Sequence, residues 1–393
     1  MSLRSRVLVA GVLGGVLLAA GCAAFPDQPP PQSWRPQEQL TPQGGPDPQV
    51  PGESQPGEGG AGGSGAPSEI PPPDGCKDYD PAVIATCLDT VVAVAAFPGD
   101  GRDPVALVGE RRTGRILRVK HGADPQLVAT VPVDGSTDGG LTGLALSPTY
   151  AEDQLIFAYT TTATDNRVVR IAPGDVPKPV ITGIPRGATD NRGALALDRT
   201  GALLLATGDA GNQQAAGDLN SLAGKVLRFD ASGAPATGNP NTASLVVASG
   251  LRQPGGVCTS VNGPGAWVTD RAATQDVLYR LELGKPLTTP AWTWPDRPGV
   301  SGCASMATGV VIVMSTAGNA QRLPIASDGS FAGKPEVTLD KDQGYGLFGG
   351  MDAVNEQVAV AGTINKDGGQ PVSSDDRAVV IAIAGGGGPG GAD

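Results

Sequence analysis

GALALDRTGALLLATGDAGN, residues 193–212, followed by DLNSLAGKVLRF, residues 218–229, reads as strand, tight turn, strand, polar loop, strand. Ala194–Leu197 and Ala202–Thr207 are apolar runs too short for a buried helix, and turn residues bound them. Asp198-Arg-Thr-Gly201 makes the turn between them, Gly208–Asn212 breaks the second run, and Val226–Phe229 supplies a third strand. Three antiparallel strands cannot cover both of their own faces and need copies of themselves.

The copies are present. VALVGERRTGRILRV (105–119), the runs within 144–171, GGVCTSV with AWVTD and DVLYRL (255–281), SGCASMA with GVVIVMST (301–323), and MDAVNEQVAVAGT with RAVVIAI (351–383) repeat the same strand set. An arginine recurs near the end of the closing strand at Arg118, Arg170, Arg228, Arg280 and Arg322, in steps of 52, 58, 52 and 42 residues. A period of roughly 40–50 residues with several strands per unit is the signature of a propeller. Counting the last, degenerate copy, the sequence predicts an all-β, six-bladed β-propeller over residues 76–384.

The rest of the chain sets its address. Arg4 and Arg6 precede an apolar run from Val7 to Ala20, too short to span a bilayer comfortably, so residues 1–21 read as a signal peptide. Leu18-Ala-Ala-Gly-Cys22 resembles a bacterial lipobox, with its leucine one place further back than usual. Cys22 is therefore the expected lipidation site, with the protein held by acyl chains at the extracytoplasmic face of the cell membrane. Residues 22–75 are rich in Pro, Gly, Gln and Ser, and read as a disordered linker; residues 385–393 read as a disordered tail. The net charge of −11 argues against a nucleic-acid partner.

Four of the five cysteines remain after Cys22, an even number in an exported chain. Cys76 and Cys87 are close in sequence and flank the entry to the domain. Cys258 and Cys303 each fall in the first strand of consecutive repeats, where inner strands of a propeller lie side by side. The expected disulfides are Cys76–Cys87 and Cys258–Cys303. No thiol pair has the close spacing of a zinc site.

ERRTGRI (110–116), DGGLTGLALSPTY (138–150), the 193–212 stretch, DLNSLAGKVLRF, GLRQPGG (250–256) and WTWPDRPGV (292–300) together resemble the ordered motifs of the glucose/sorbosone dehydrogenase family. The match is good over about residues 90–300 and loose elsewhere. The resemblance implies a six-bladed propeller that uses pyrroloquinoline quinone (PQQ) and calcium to oxidise a sugar hydroxyl, with a histidine base just before the strand that opens the central repeat.

Aligned on Gly193 and Gly201, the base position falls at Asp190, a weak substitute, since a solvated aspartate titrates near pH 4. The lone histidine, His121, reads as a surface turn residue. The family's Arg-Asn-Pro motif becomes Arg252-Gln253-Pro254, in which Arg252 is the candidate partner of a cofactor carboxylate. The calcium-and-quinone loop keeps Asp209 and Asn212. An acidic pair of the family reads Gln275-Asp276, a proline-adjacent histidine reads Ser147, and the late quinone-gripping arginines find no counterpart in 340–383. Trp292 and Trp294, alternating along a strand, read as blade packing rather than a sugar-stacking platform.

These readings leave three functions open. One is a membrane-anchored module with a degenerate catalytic site that binds a small molecule or an envelope protein. The second is an active PQQ- and calcium-dependent aldose dehydrogenase. The third, a lactonase-type hydrolase, needs a metal ringed by acids and Asn that the sequence does not supply.

Overall fold

The structure, a computed structural model, describes residues 70–260, 265–326, 329–340 and 344–382. The signal peptide, Cys22, the linker up to residue 69 and the C-terminal tail lie outside the described residues. Residues 193–212 fold as the sequence implies: Gly193–Leu197 and Leu203–Thr207 pair antiparallel around a turn closed from Gly201 N–H to the Asp198 carbonyl, and Lys225–Phe229 adds alongside. A fourth strand, Val246–Ser249, completes the sheet on its outer edge.

The same four-stranded meander recurs, and the described residues form six sheets of this kind. The inner strands Val91–Ala96, Leu141–Leu146, Gly193–Leu197, Pro254–Thr259, Val300–Met306 and Phe348–Ala353 neighbour one another in a closed ring. The sixth blade takes its outermost strand, Val83–Ala85, from the start of the domain, and this strand pairs with Ala378–Ala382. The ring is thus closed by both ends of the domain.

Burial follows from this arrangement. A blade's middle strands are covered on both faces by the neighbouring blades, so Leu203–Thr207 and Gly309–Met314 are apolar and buried throughout. The outer strand Gln126–Thr130 is mostly exposed, its Leu127 and Val128 included. Each of six apolar clusters spans two adjacent blades. Trp294 is buried in the cluster between the fourth and fifth blades, with Trp292 packed against it, and its indole N–H donates to Gln321 at 2.9 Å. The tryptophans are therefore blade packing.

The recurrent arginines all lie on third strands, and four of them contact the turn between a blade's first two strands or the strand beside it. Arg228 donates to Asp198 at 2.7 Å and to Thr200, Arg322 donates to Thr308, and Arg118 and Arg280 lie over the rings of Phe97 and Trp267. Both expected disulfides are formed, with Cα–Cα separations of 5.4 Å for Cys76–Cys87 and 5.6 Å for Cys258–Cys303.

Glycines let the inner strands approach closely enough to shut the axis. A Cβ on Gly302 would stand 2.2 Å from the Met351 nitrogen, closer than any side chain tolerates. The axial space that remains is about 20 Å³, room for roughly one water.

Candidate functional site

The face on which the inner strands begin collects the segments preceding each inner strand and those following each second strand. It brings together four of the side chains singled out in the sequence. Asp190 sits before the inner strand of the third blade with φ +57, and its carbonyl accepts from Ala210 N–H at 3.0 Å. Gly208 makes this turn possible, since a Cβ there would stand 2.0 Å from the Asp190 carbonyl oxygen. Asp190 is only 4 % exposed, which corrects the expectation of a solvated aspartate. Its Oδ2 accepts from Arg252 Nη2 at 3.3 Å and from the Thr189 hydroxyl at 3.2 Å.

Arg252 is fixed by its own backbone. Its N–H and that of Gln253 both donate to Asp270, and its carbonyl accepts from Asp209 N–H. Its second guanidinium nitrogen donates to the Arg271 carbonyl at 3.3 Å. Gln253 donates to Asp138 at 3.1 Å, and Asn191 holds the same carboxylate through its backbone and side-chain N–H. Asp209 is buried and accepts from Gly211 N–H; burial, then the charge of Asp190, pushes its carboxyl up. Asn212 stands apart from this group, capping the short helix Gln213–Gly217 by accepting from Ala215 N–H. Among the described residues, no set of three or more His, Cys, Asp or Glu side chains converges to hold a metal.

The other residues matched to the family do not join the site. Ser147 lies at the opposite end of the propeller, after an inner strand, where it donates to Asp153 at 2.6 Å. Asp276 is buried and accepts from the backbone N–H of Gly299 and Val300. The 340–383 region does contain one buried arginine, Arg377, but it is committed to Asp78 and Asp375. His121 is exposed in a turn.

Sequence reading missed several charged groups at the axial mouth. Asp270 is fully buried, and burial pushes its carboxyl up to about 7 against the opposing pull of the Arg252 and Gln253 N–H groups. Arg111 donates to the carbonyls of Thr137 and Gly139 and pairs with Asp367 at 3.1 Å. Arg271 donates to the Val300 carbonyl and the Ser315 hydroxyl. Arg192, adjacent to Gly193, is 9 % exposed, and burial, with Arg271 and Arg111 nearby, pushes its guanidinium down to about 10. The available signal was positional: Arg111, Asp209 and Arg271 each follow or end a second strand, and Arg192 immediately precedes an inner one.

A cavity of about 690 Å³ opens on the opposite face, lined in part by Phe97, Arg118, Tyr150 and Asp352. The inner strands of the ring stand between this cavity and the Asp190–Arg252 pair.

A six-bladed ring with convergent charged loops at the entry to its inner strands defines the class: a six-bladed β-propeller with a charged axial mouth. The family model described as Glucose / Sorbosone dehydrogenase matches residues 89–286, half of the chain, and the chain belongs to that family. Among solved structures it is similar to the PQQ-bound aldose sugar dehydrogenase from Streptomyces coelicolor, at 28 % identity and TM-score 0.69, covering 76 % of this chain and 96 % of that one. It is also similar to a glucose dehydrogenase-type oxidoreductase from Thermus thermophilus, at 25 % identity and TM-score 0.68, covering 76 % and 98 %. The soluble aldose sugar dehydrogenase from Escherichia coli shares the fold at 18 % identity and TM-score 0.64, covering 77 % and 99 %. No curated protein sequence matches the chain.

Proposed function

We propose that the chain is an envelope lipoprotein, anchored through Cys22, whose propeller binds a small ligand or an envelope protein partner on its axial face and has lost sugar oxidation. The observation that carries this reading is the Asp190–Arg252 pair. A general base must reach the substrate hydroxyl and be free to take its proton. Asp190 is buried, and its carboxylate oxygen is occupied by hydrogen bonds from the Arg252 guanidinium and the Thr189 hydroxyl. The same contact draws Arg252, the candidate cofactor clamp, away from a bound acid group.

The fit to the family's cofactors divides. PQQ, when bound, supplies a quinone that accepts hydride, and Arg192, which has no protein partner among the described residues, would be the group to hold one of its carboxylates. Calcium wants six or more oxygens, and the acids of this face are held by protein donors rather than arranged as a cage.

The purified protein, given PQQ, calcium and common aldoses, is expected to reduce an electron-accepting dye at background rate, since loss of the base alone lowers a rate by about 10²–10⁴-fold. Saturable PQQ-dependent reduction, abolished by Asp190→Ala, would overturn the reading. It would establish the second one, a PQQ- and calcium-dependent aldose dehydrogenase, which the 28 % identity to the PQQ-bound enzyme favours.

A further inference from the structure

Arg192 is the group at the axial mouth whose chemistry is incomplete. Its side chain is nine-tenths buried, its Nε is sealed from solvent with no acceptor, and no protein group among the described residues accepts a hydrogen bond from its guanidinium or pairs with it. Its charged neighbours are Arg111 of the first blade, Asp138 of the following loop, Arg271 of the fourth blade and Asp367 of the sixth. These neighbours come from the first, fourth and sixth blades, so Arg192 stands among the segments that ring the axial mouth. The Nε of Arg111 is orphaned in the same way.

We propose that Arg192 anchors an anion site over the axis, taking a carboxylate of a small soluble molecule. The inference rests on the ligand-binding reading above and names the chemistry of that ligand. Guanidinium presents five donors in a planar fork that matches a carboxylate with two parallel hydrogen bonds. A buried cation without acceptors is unfavourable unless something supplies them. The unpartnered guanidinium sets the class of ligand. Of the charged groups around Arg192, the nearest acids are already committed elsewhere. Asp367 is already paired with Arg111, and Asp138 is held by Asn191 and Gln253. A carboxylate supplies the paired acceptors that Arg192 lacks, whereas a neutral sugar leaves its charge unpaired.

The test follows thermal unfolding of the full chain at constant ionic strength with gluconate, PQQ, inorganic phosphate and neutral glucose as probes, chloride being the background anion. Gluconate and PQQ are expected to raise Tm saturably, because a ligand that binds only the folded state stabilises it, and glucose to leave Tm unchanged. Arg192→Met is expected to unfold no earlier than the parent in chloride alone, having lost an unpaired buried charge, and to weaken both carboxylates at least tenfold. Arg118→Met, which removes an exposed arginine at the opposite face, is expected to leave both titrations unchanged. The parent's Arg192 Nε–H resonance, which needs no variant, is expected to shift on adding gluconate. Carboxylate titrations that Arg192→Met leaves unaltered, a resonance that does not move, or equal responses to phosphate and chloride, an adventitious ion only, would overturn the proposal. Carboxylate binding through Arg192 accompanied by sugar turnover would sink the non-catalytic reading and leave the anion site standing. Absence of carboxylate binding with no turnover would do the reverse.

Discussion

Asp270 shows how a single buried side chain ties the site to the stability of the protein. Its carboxylate accepts the Arg252 and Gln253 N–H groups and so fixes the loop that carries both. Burial nevertheless raises its pKa to about 7. Between the ordinary aspartate value and about 7, the folded chain holds a proton that the unfolded chain has released, so stability is greatest on the acid side and falls as pH rises through 7. Asp352, pushed by burial up to about 6, acts in the same sense. Asp198, where hydrogen bonds from Thr200 and Arg228 outweigh burial, titrates below its ordinary value and outside this window. Asn at position 270 offers one oxygen to the same two N–H groups. Asp270→Asn is therefore expected to keep the loop and flatten the fall in unfolding free energy between pH 4 and 8, by up to about 4 kcal/mol at the alkaline end. Urea unfolding across that range reads the slope, and a slope equal to the parent's would refute the assignment. At this scale the sequence was partly legible. Asp190 and Arg252, 62 residues apart, could be matched to motifs and do meet. Arg192, two residues from Asp190, passed unnoticed because arginines are mostly surface residues and its burial arises from blades that converge only in space.

The strands were legible where both faces are covered. The runs read at 194–197, 202–207 and 226–229 fold as 193–197, 203–207 and 225–229, because continuous apolar sequence is what a strand between two neighbouring blades requires. The outer strands were not legible: Gln126–Thr130 and Glu336–Leu339 pair along one edge and are largely exposed, so no burial pattern marks them. The closing strand Val83–Ala85 was also missed, since three residues carry no periodicity and its partner lies almost 300 residues away. The two disulfides act on elements of different reach. Cys76–Cys87 brackets the closing strand with a separation of 11 residues, and Cys258–Cys303 joins two inner strands with a separation of 45. From loop entropy, replacing the first pair by serine is expected to lower stability by about 3 kcal/mol and the second by about 4 kcal/mol. Denaturant midpoints at equal m-value measure the two losses, and a larger loss from the shorter loop would show that ring closure, not loop length, sets the order.

For the whole molecule, the proposed lipid anchor would decide where the propeller works. Cys22→Ser is expected to move the protein from the membrane to the soluble fraction or to leave an uncleaved precursor, read by fractionation and intact mass. Unchanged fractionation with unchanged mass would defeat the lipoprotein assignment. The narrow axis, with about 20 Å³ of free space, stands between the charged mouth and the cavity on the opposite face. The pairing of Val83 with Val379 also orders events in time. A chain made from its N-terminus delivers its first strand long before the blade that strand completes. Until Ala378–Ala382 arrives, Val83–Ala85 has no partner and five finished sheets stand in an open arc, the condition in which unpaired edges recruit one another. Birth of this protein is therefore a wait, and whatever shelters the half-built ring meanwhile governs how much of it is recovered.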